Sequence, residues 1–416
     1  ARSGVSESAL DLLERLPEGL DELGVGEFEA SVERFRENIA SRETSRAERI
    51  AEVRGELSGY PAEIDEREAL SKVLELHTLS LDESAVLREG VVSRVISDAE
   101  DRALRAERDG EWLTAHYLVS RLNALFEDGR YREDLNRLNR RILMLSLYVP
   151  ERLHAMRSAL RVAEGEDALP PYNDIGAGWR EKLEGINARM LLKSMAFAAG
   201  NHVYGASVKD MVLGGLDALV VLATTTDLAS AMPEMNDAGQ RRRFMEAVER
   251  RRRSIELMDE GAVEFRDAVR VVQGVMSDNR LTLGVPDEVI LHEFGDGFTS
   301  RLDDYSGIIW PDELREFAQQ TRGDFHGVGI QISLNDALEL EVVAPISGTP
   351  AARAGIRAGD VIERIDGEDT TGIALSQAVE RITGEKGTEV VLGIRREGED
   401  GLLRTPLIRD TIPLHA

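Results

Sequence analysis

Between Glu27 and Leu57 the apolar residues Phe28, Val32, Phe35 and Ile39 stand three and four apart in a charge-rich background, which puts them on one face of a helix. A second periodic run follows Leu81-Asp82-Glu83-Ser84 and continues to about Arg108. Trp112, Ala115, Leu118, Leu122 and Leu125 repeat the pattern, Asp128-Gly129-Arg130 interrupts it, and Tyr131, Leu135, Leu138, Ile142 and Leu145 resume it. This predicts two helices joined at Gly129, a residue free to take the left-handed backbone of a helix end. Trp112, Ala115 and the turn give the pair a faint likeness to a tetratricopeptide unit. No second copy stands at the required period, so the segment reads as an ordinary α-hairpin. Residues 1–163 are expected to form a helical domain.

Glu164 to Gly178 collects Asp167, Pro170, Pro171, Asn173, Asp174, Gly176 and Gly178, and reads as a linker over 164–178. Residues 179–323 are predicted to be helical again, with core-forming apolar runs at Met190–Ala199 and Val208–Ala223. This region holds a weak internal echo. Val208-Lys209-Asp210-Met211-Val212-Leu213 is followed by Thr226-Asp227, and Val285-Pro286-Asp287-Glu288-Val289-Ile290 is followed at the same distance by Asp303-Asp304. A degenerate duplication would leave such a trace.

From Asp324 the period changes to two. Val390, Leu392 and Ile394 alternate with Val391 and Gly393, as in a half-buried strand. Asp366-Gly367 signals a hairpin, and Gly355 and Gly359 suit left-handed turns. One helix, from about Ile373 to Thr383, interrupts the strands and ends at Gly384. The expected fold class is therefore α+β and multidomain: a mostly helical amino-terminal region followed by a small β-rich domain over 324–412.

Charge and composition narrow the functional classes. The net charge of -26 repels a phosphate backbone, so nucleic acid is not an expected partner. There is no cysteine, which excludes disulfides, thiolate metal sites and a cysteine nucleophile. The histidines are scattered without ligand spacing, and His292-Glu293 lacks the second histidine of a zinc helix. No metal and no cofactor are expected. No apolar run has the length of a membrane span. Arg241-Arg242-Arg243 and Arg250-Arg251-Arg252-Arg253 form a basic patch, but Glu246, Glu249 and Glu256 are interleaved, as on a solvated helix. No sequence signal specifies an oligomeric state.

The β-rich domain carries the candidate chemistry. Gly327-Val328-Gly329-Ile330 places two glycines around a bend, where successive N–H groups can point at one spot and hold an anion. Ile330 and Ile332 face one side of the next strand. Leu375, Ala378, Val379 and Ile382 form an amphipathic stripe on the helix, part of it core and the rest free to wall a groove against that strand. Strand, helix and amide nest together make a slot for a carboxy-terminal tail, which would pair with the strand edge and seat its carboxylate on the nest.

The order and spacing of Gly-Val-Gly-Ile, Gly-Thr-Pro-Ala, Ala-Gly-Ile, Ala-Gly-Asp-Val-Ile and Asp-Gly resemble a PDZ domain of the carboxy-terminal processing, or tail-specific, protease family. The flanks agree. Leu302-Asp303-Asp304-Tyr305-Ser306 and Trp310-Pro311-Asp312-Glu313-Leu314 are similar to the family's segment before its PDZ domain, with Asp304 and Tyr305 where the family has Pro and His. Arg409-Asp410-Thr411-Ile412 is similar to the family's strand leaving that domain. The resemblance covers about 285–416 and implies a serine endopeptidase with a Ser nucleophile and a Lys base. It also implies carboxy-terminal tails of substrate proteins as partners, and an extracytoplasmic or periplasmic location.

In the family the catalytic core follows the PDZ domain, so 413–416 are expected to be its start and no catalytic residue is expected among these 416. Ser230 has no glycine just before it and no lysine at the family's distance after it. Lys193 and Ser194 are helix neighbours that point apart. The alternative is a non-enzymatic PDZ adaptor.

Overall fold

The computed structural model describes residues 25–412 except 127, 175–177, 304, 315–316, 318–324, 336 and 400, with side chains from residue 33 onward except that of Glu260. Gly176, Asp304, Asp324 and the 413–416 tail lie outside the described residues. The described residues form two compact units, one of residues 25–109 with 117–132, the other of 110–116 with 133–412.

The first unit is helical. It contains α1 (Val25–Leu57), α2 (Glu66–Leu79), α3 (Glu83–Leu87), α4 (Gly90–Asp109) and the later turns of α5 (Trp112–Leu125). Asp65 and Asp82 cap α2 and α3 by accepting from Glu68 and Ala85 N–H. Leu70, Val73 and Leu76 of α2 are buried, as are Val92, Val95 and Ala99 of α4, each set at helical spacing.

The second unit opens with α6 (Arg132–Tyr148) and α7 (Pro150–Ala163), continues through α8 (Trp179–Lys182), and then forms α9 (Ala188–Asn201), α10 (Val208–Thr224), α11 (Ala238–Glu256), α12 (Phe265–Leu281) and α13 (Asp287–Thr299). Gly129 has φ +74°, so the turn before α6 uses its left-handed freedom. α10 and α13 form the centre and pack through glycine. A Cβ on Gly297 would lie 2.4 Å from the Gly214 carbonyl oxygen, so the two backbones nearly touch. Leu216, Leu219, Phe244, Val275, Ile290 and Phe294 fill the surrounding core. Part of the arginine patch on α11 is neutralised within the chain, by Arg251–Asp278 and Arg252–Asp217, both at 2.7 Å.

The β-rich domain also lies in the second unit. Its strands are β1 (Phe325–Gly327), β2 (Ile330–Leu334), β3 (Leu340–Pro345), β4 (Val361–Ile365), β5 (Glu368–Asp369), β6 (Glu389–Arg395), β7 (Leu403–Ile408) and β8 (Asp410–Ile412). Two short helices, α14 (Pro350–Arg353) and α15 (Leu375–Ile382), complete it. β2, β3, β4, β6 and β7 are neighbours in that order, all antiparallel, with β5 on β4 and β1 paired to β8. Asp366 and Gly367, with φ of 53° and 88°, make the tight hairpin between β4 and β5. The core is Val342, Ile362, Ile365, Val390, Leu392 and Ile394 with Ala378 and Ile382 from α15. Asn173 reaches this domain from the 164–178 segment and donates to the carbonyls of Asp369 and Thr371.

Candidate functional site

β2 is an edge strand. It is hydrogen-bonded to β3 on one side, in the register Ile330↔Pro345 to Leu334↔Leu340, and its other edge has no strand partner among the described residues. A bulge between Gln331 and Ile332 bends it. α15 packs against both β2 and β4. An open edge beside an amphipathic helix is the arrangement that accepts an added strand.

The predicted stripe on α15 divides in two. Ala378 and Ile382 are buried in the domain core, while Leu375 and Val379 remain 37% and 38% exposed. Ile330 and Ile332 are partly buried against the same core. Leu375 and Val379 are therefore the stripe residues available to a groove occupant, and Ala378 and Ile382 hold the helix in place.

The two glycines before β2 differ. Gly327 ends β1, opposite Asp410, and a Cβ there would make only ordinary contact with Thr383 at 3.5 Å. Gly329 has φ +77°, and a Cβ there would fall 2.3 Å from Cβ of Thr349. The bend is thus at Val328–Gly329. It is held on the carbonyl side: Ile346 N–H and Thr349 Oγ1 donate to the Gly329 carbonyl at 2.9 and 3.1 Å, and Ala351 N–H donates to the Val328 carbonyl at 2.9 Å. Fixing the carbonyls leaves the amides of Val328 and Gly329 with no backbone acceptor among the described residues. Val328 itself is buried and anchors the loop in the core.

Thr349 is a supporting residue that residue-by-residue reading assigns no role. It is buried, and its hydroxyl also lies 2.6 Å from the Ile346 carbonyl. Its signal is the Gly-Thr-Pro-Ala string, in which Pro350 begins α14. Arg409 is another. Its guanidinium donates to the carbonyls of Arg381 and Ile382 at 2.7 and 3.1 Å, satisfying the last turn of α15, and to Glu389 O on β6 at 2.9 Å.

The residues considered for catalysis all lie on elements that precede the β-rich domain. Ser230 Oγ donates to Asp227 O at 2.9 Å in a short 3-10 turn. Lys193 and Ser194 lie on α9. His292 Nδ1 lies 3.0 Å from Glu293, a buried carboxylate that also accepts from Tyr148 OH at 2.7 Å. No cluster of three or more metal-ligating side chains exists among the described residues. Nor is any described helix long and apolar enough to cross a membrane.

This fold and loop define a PDZ domain, and residues 341–396 match the PDZ domain family model. Over a stretch that includes this domain the chain is similar to carboxy-terminal processing proteases of bacteria. It is 37% identical over 133 residues to the carboxy-terminal-processing protease of Bartonella bacilliformis, covering 32% of this chain and 30% of that protein. It is 40% identical over 114 residues to the carboxyl-terminal-processing protease of a Picosynechococcus species, covering 27% of this chain and 28% of that one. Among solved structures, the peptide-bound PDZ domain of a Vibrio cholerae carboxy-terminal protease is 30% identical. That match covers 22% of this chain and 99% of that one, with a TM-score of 0.20. The chain thus spans less than a third of the length of these curated relatives.

Proposed function

We propose that residues 324–412 read the free carboxy-termini of substrate proteins and deliver them to a serine endopeptidase core of the tail-specific type, in an extracytoplasmic compartment. The tail adds antiparallel to the open edge of β2. Its carboxylate accepts from the amides of the Gly327–Ile330 loop, and its last apolar side chain lies between Ile332 and the Leu375–Val379 face of α15. The observation that carries this reading is the loop itself. Gly329 is held at positive φ with its carbonyl engaged, so the amides on the other side stand beside a strand edge that has no partner among the described residues.

The test is a fluorescence-anisotropy titration with two labelled peptides, one ending in a free carboxylate after an apolar residue and the other amidated. The acid is expected to bind at least about tenfold more tightly, the value of a charge-assisted hydrogen bond or two. Equal affinity of the two peptides overturns the amide-nest reading.

A further inference from the structure

The segment after α7 has the composition of a linker, yet residues 166–174 are fastened on two sides. On the helical side, the Leu169 N–H donates to Ser158 Oγ at 3.1 Å, and Arg161 donates to Asp167 O at 3.1 Å and pairs with Glu166 at 2.8 Å. The Tyr172 ring stands edge-on to His154, 5.5 Å away. On the PDZ side, Asn173 Nδ2 donates to Asp369 O at 2.7 Å and to Thr371 O at 3.0 Å. Thr370, the residue between them, is buried and donates to Ile362 O on β4 at 2.6 Å. The loop before α15 is thus held to its own domain through one residue and to the 166–174 segment through the two on either side. Gly372 has φ +72°, and a Cβ there would fall 2.0 Å from the Pro171 carbonyl oxygen, so the two backbones meet at a distance that only glycine permits.

The contact continues onto α15 itself. Tyr172 meets the Gln377 side chain, and Gln377 Oε1 accepts from the Ala374 N–H that begins the helix, at 3.1 Å. Gln377 stands two residues after Leu375, which places the two on opposite sides of the helix. One side therefore walls the groove while the other meets the strap. Behind α15 the packing is incomplete. Gln377 and Tyr172 line an open cavity of about 690 Å³ with Tyr148, Pro150 and Trp179 of the helical part, which leaves this end of α15 room to shift.

We infer that Asn173 and Tyr172 are positioning residues for tail recognition. The 166–174 strap holds the amino-terminal end of α15 where Leu375 and Val379 wall the groove, as Arg409 holds the carboxy-terminal end. This rests on the tail-reading role proposed above. With the strap docked, Leu375 and Val379 are still more than a third exposed, so the strap supports the groove and does not plug it. Its hydrogen bonds are few and mostly exposed, the kind that open well below global unfolding. Strap and tail favour the same position of α15, so each strengthens the binding of the other.

The experiment uses the full chain and the same pair of labelled peptides, acid and amide. Asn173→Asp keeps the shape of the side chain but turns a carboxylate towards two carbonyls, and Asn173→Ala removes the donor outright. Both should weaken the acid peptide about fivefold, the low end of coupling between linked sites, with the urea midpoint unchanged. The second readout is native-state cutting by a glutamyl endopeptidase after Glu164 and Glu166, followed by mass spectrometry. Saturating acid peptide should slow these cuts in the unmodified chain and not in Asn173→Asp. Unchanged affinity in Asn173→Asp overturns the inference, while acid-selective binding in the same titration leaves the groove reading standing. Weakened binding with cutting that ignores the tail also overturns it, because the strap then only stabilises the fold. Faster cutting with the tail bound overturns it as well, since strap and tail then compete. Loss of acid selectivity in the unmodified chain removes the groove reading, and this inference with it.

Discussion

The Trp310 indole N–H donates to Asp296 Oδ1 at 2.9 Å, and its ring lies 4.9 Å from the imidazole of His292 one turn earlier on α13. This pair fastens the segment before the PDZ domain to the central helix of the unit. Behind it lies a buried network in which Glu293 meets His292, Tyr148 and Arg140, and Arg140 also pairs with Asp296 at 3.2 Å. Burial lowers the His292 pKa, but the hydrogen bond and charge of Glu293, with the charge of Asp296, outweigh it and hold His292 above the ordinary histidine value. Burial raises Glu293, but His292, Arg140 and Tyr148 outweigh it and hold its carboxyl below the usual range.

These directions fix the sign of a pH effect. A raised His292 contributes stability that is complete below about pH 6.5 and fades as pH rises through its folded value. A depressed Glu293 contributes stability above the ordinary glutamate range, lost as pH falls through its folded value. Urea midpoints should therefore decline from pH 6 towards pH 9, and His292→Gln should flatten that decline. An unchanged slope in the variant would remove His292 as the cause. Glu293→Ala, which leaves the buried Tyr148 hydroxyl and His292 without their acceptor while Arg140 keeps Asp296, should cost about 1–3 kcal/mol.

The α10–α13 crossing gives a second expectation. A Cβ on Gly297 would press on the Gly214 carbonyl oxygen and lie 2.6 Å from Ala218 Cβ, and neither neighbour is a flexible side-chain end. Gly297→Ala should destabilise the helical part by about 1–3 kcal/mol despite alanine's better helix propensity. Gly200→Ala, with open space around it, is the control and should stabilise slightly. Thermal melts of the two variants shifting in the same direction would contradict the crossing geometry.

Local rules make much of this legible in the sequence. Positive φ at Gly129, Gly355, Gly359 and Gly367 follows from turn chemistry within a few residues, and the α15 stripe follows from helical periodicity. What is not legible depends on partners far along the chain. Gly327 and Gly329 look equivalent in sequence, but Asp410 takes the first into a ladder and Thr349 crowds the second. Asp360 reads only as a turn residue, yet it is buried and held by a two-pronged contact from Arg396, 36 positions on.

Division of the α15 stripe predicts two kinds of variant. Val379→Lys places a charge on the half-exposed face and should leave stability within about 0.5 kcal/mol while abolishing tail binding. Ile382→Ala removes a core side chain and should cost about 2–4 kcal/mol. Denaturation curves and peptide titrations on the same samples separate the two effects. Full peptide affinity in folded Val379→Lys would place the groove elsewhere.

Arg409 should affect recognition without touching the tail. It is partly buried and ties the Arg381 and Ile382 carbonyls at the end of α15 to Thr388 and Glu389 at the start of β6. Arg409→Ala leaves these carbonyls without their donor, at about 1–3 kcal/mol. Its effect should concentrate on α15, because β8 and β6 keep their own ladder partners. Hydrogen exchange should therefore accelerate at the amides of Val379 to Thr383 more than in β4 or β6, and tail affinity should fall severalfold. Arg409→Lys, which keeps the charge but has no planar fork to reach several carbonyls at once, should resemble the alanine variant. Full rescue by lysine would mean that charge, rather than this multidentate geometry, is what α15 requires.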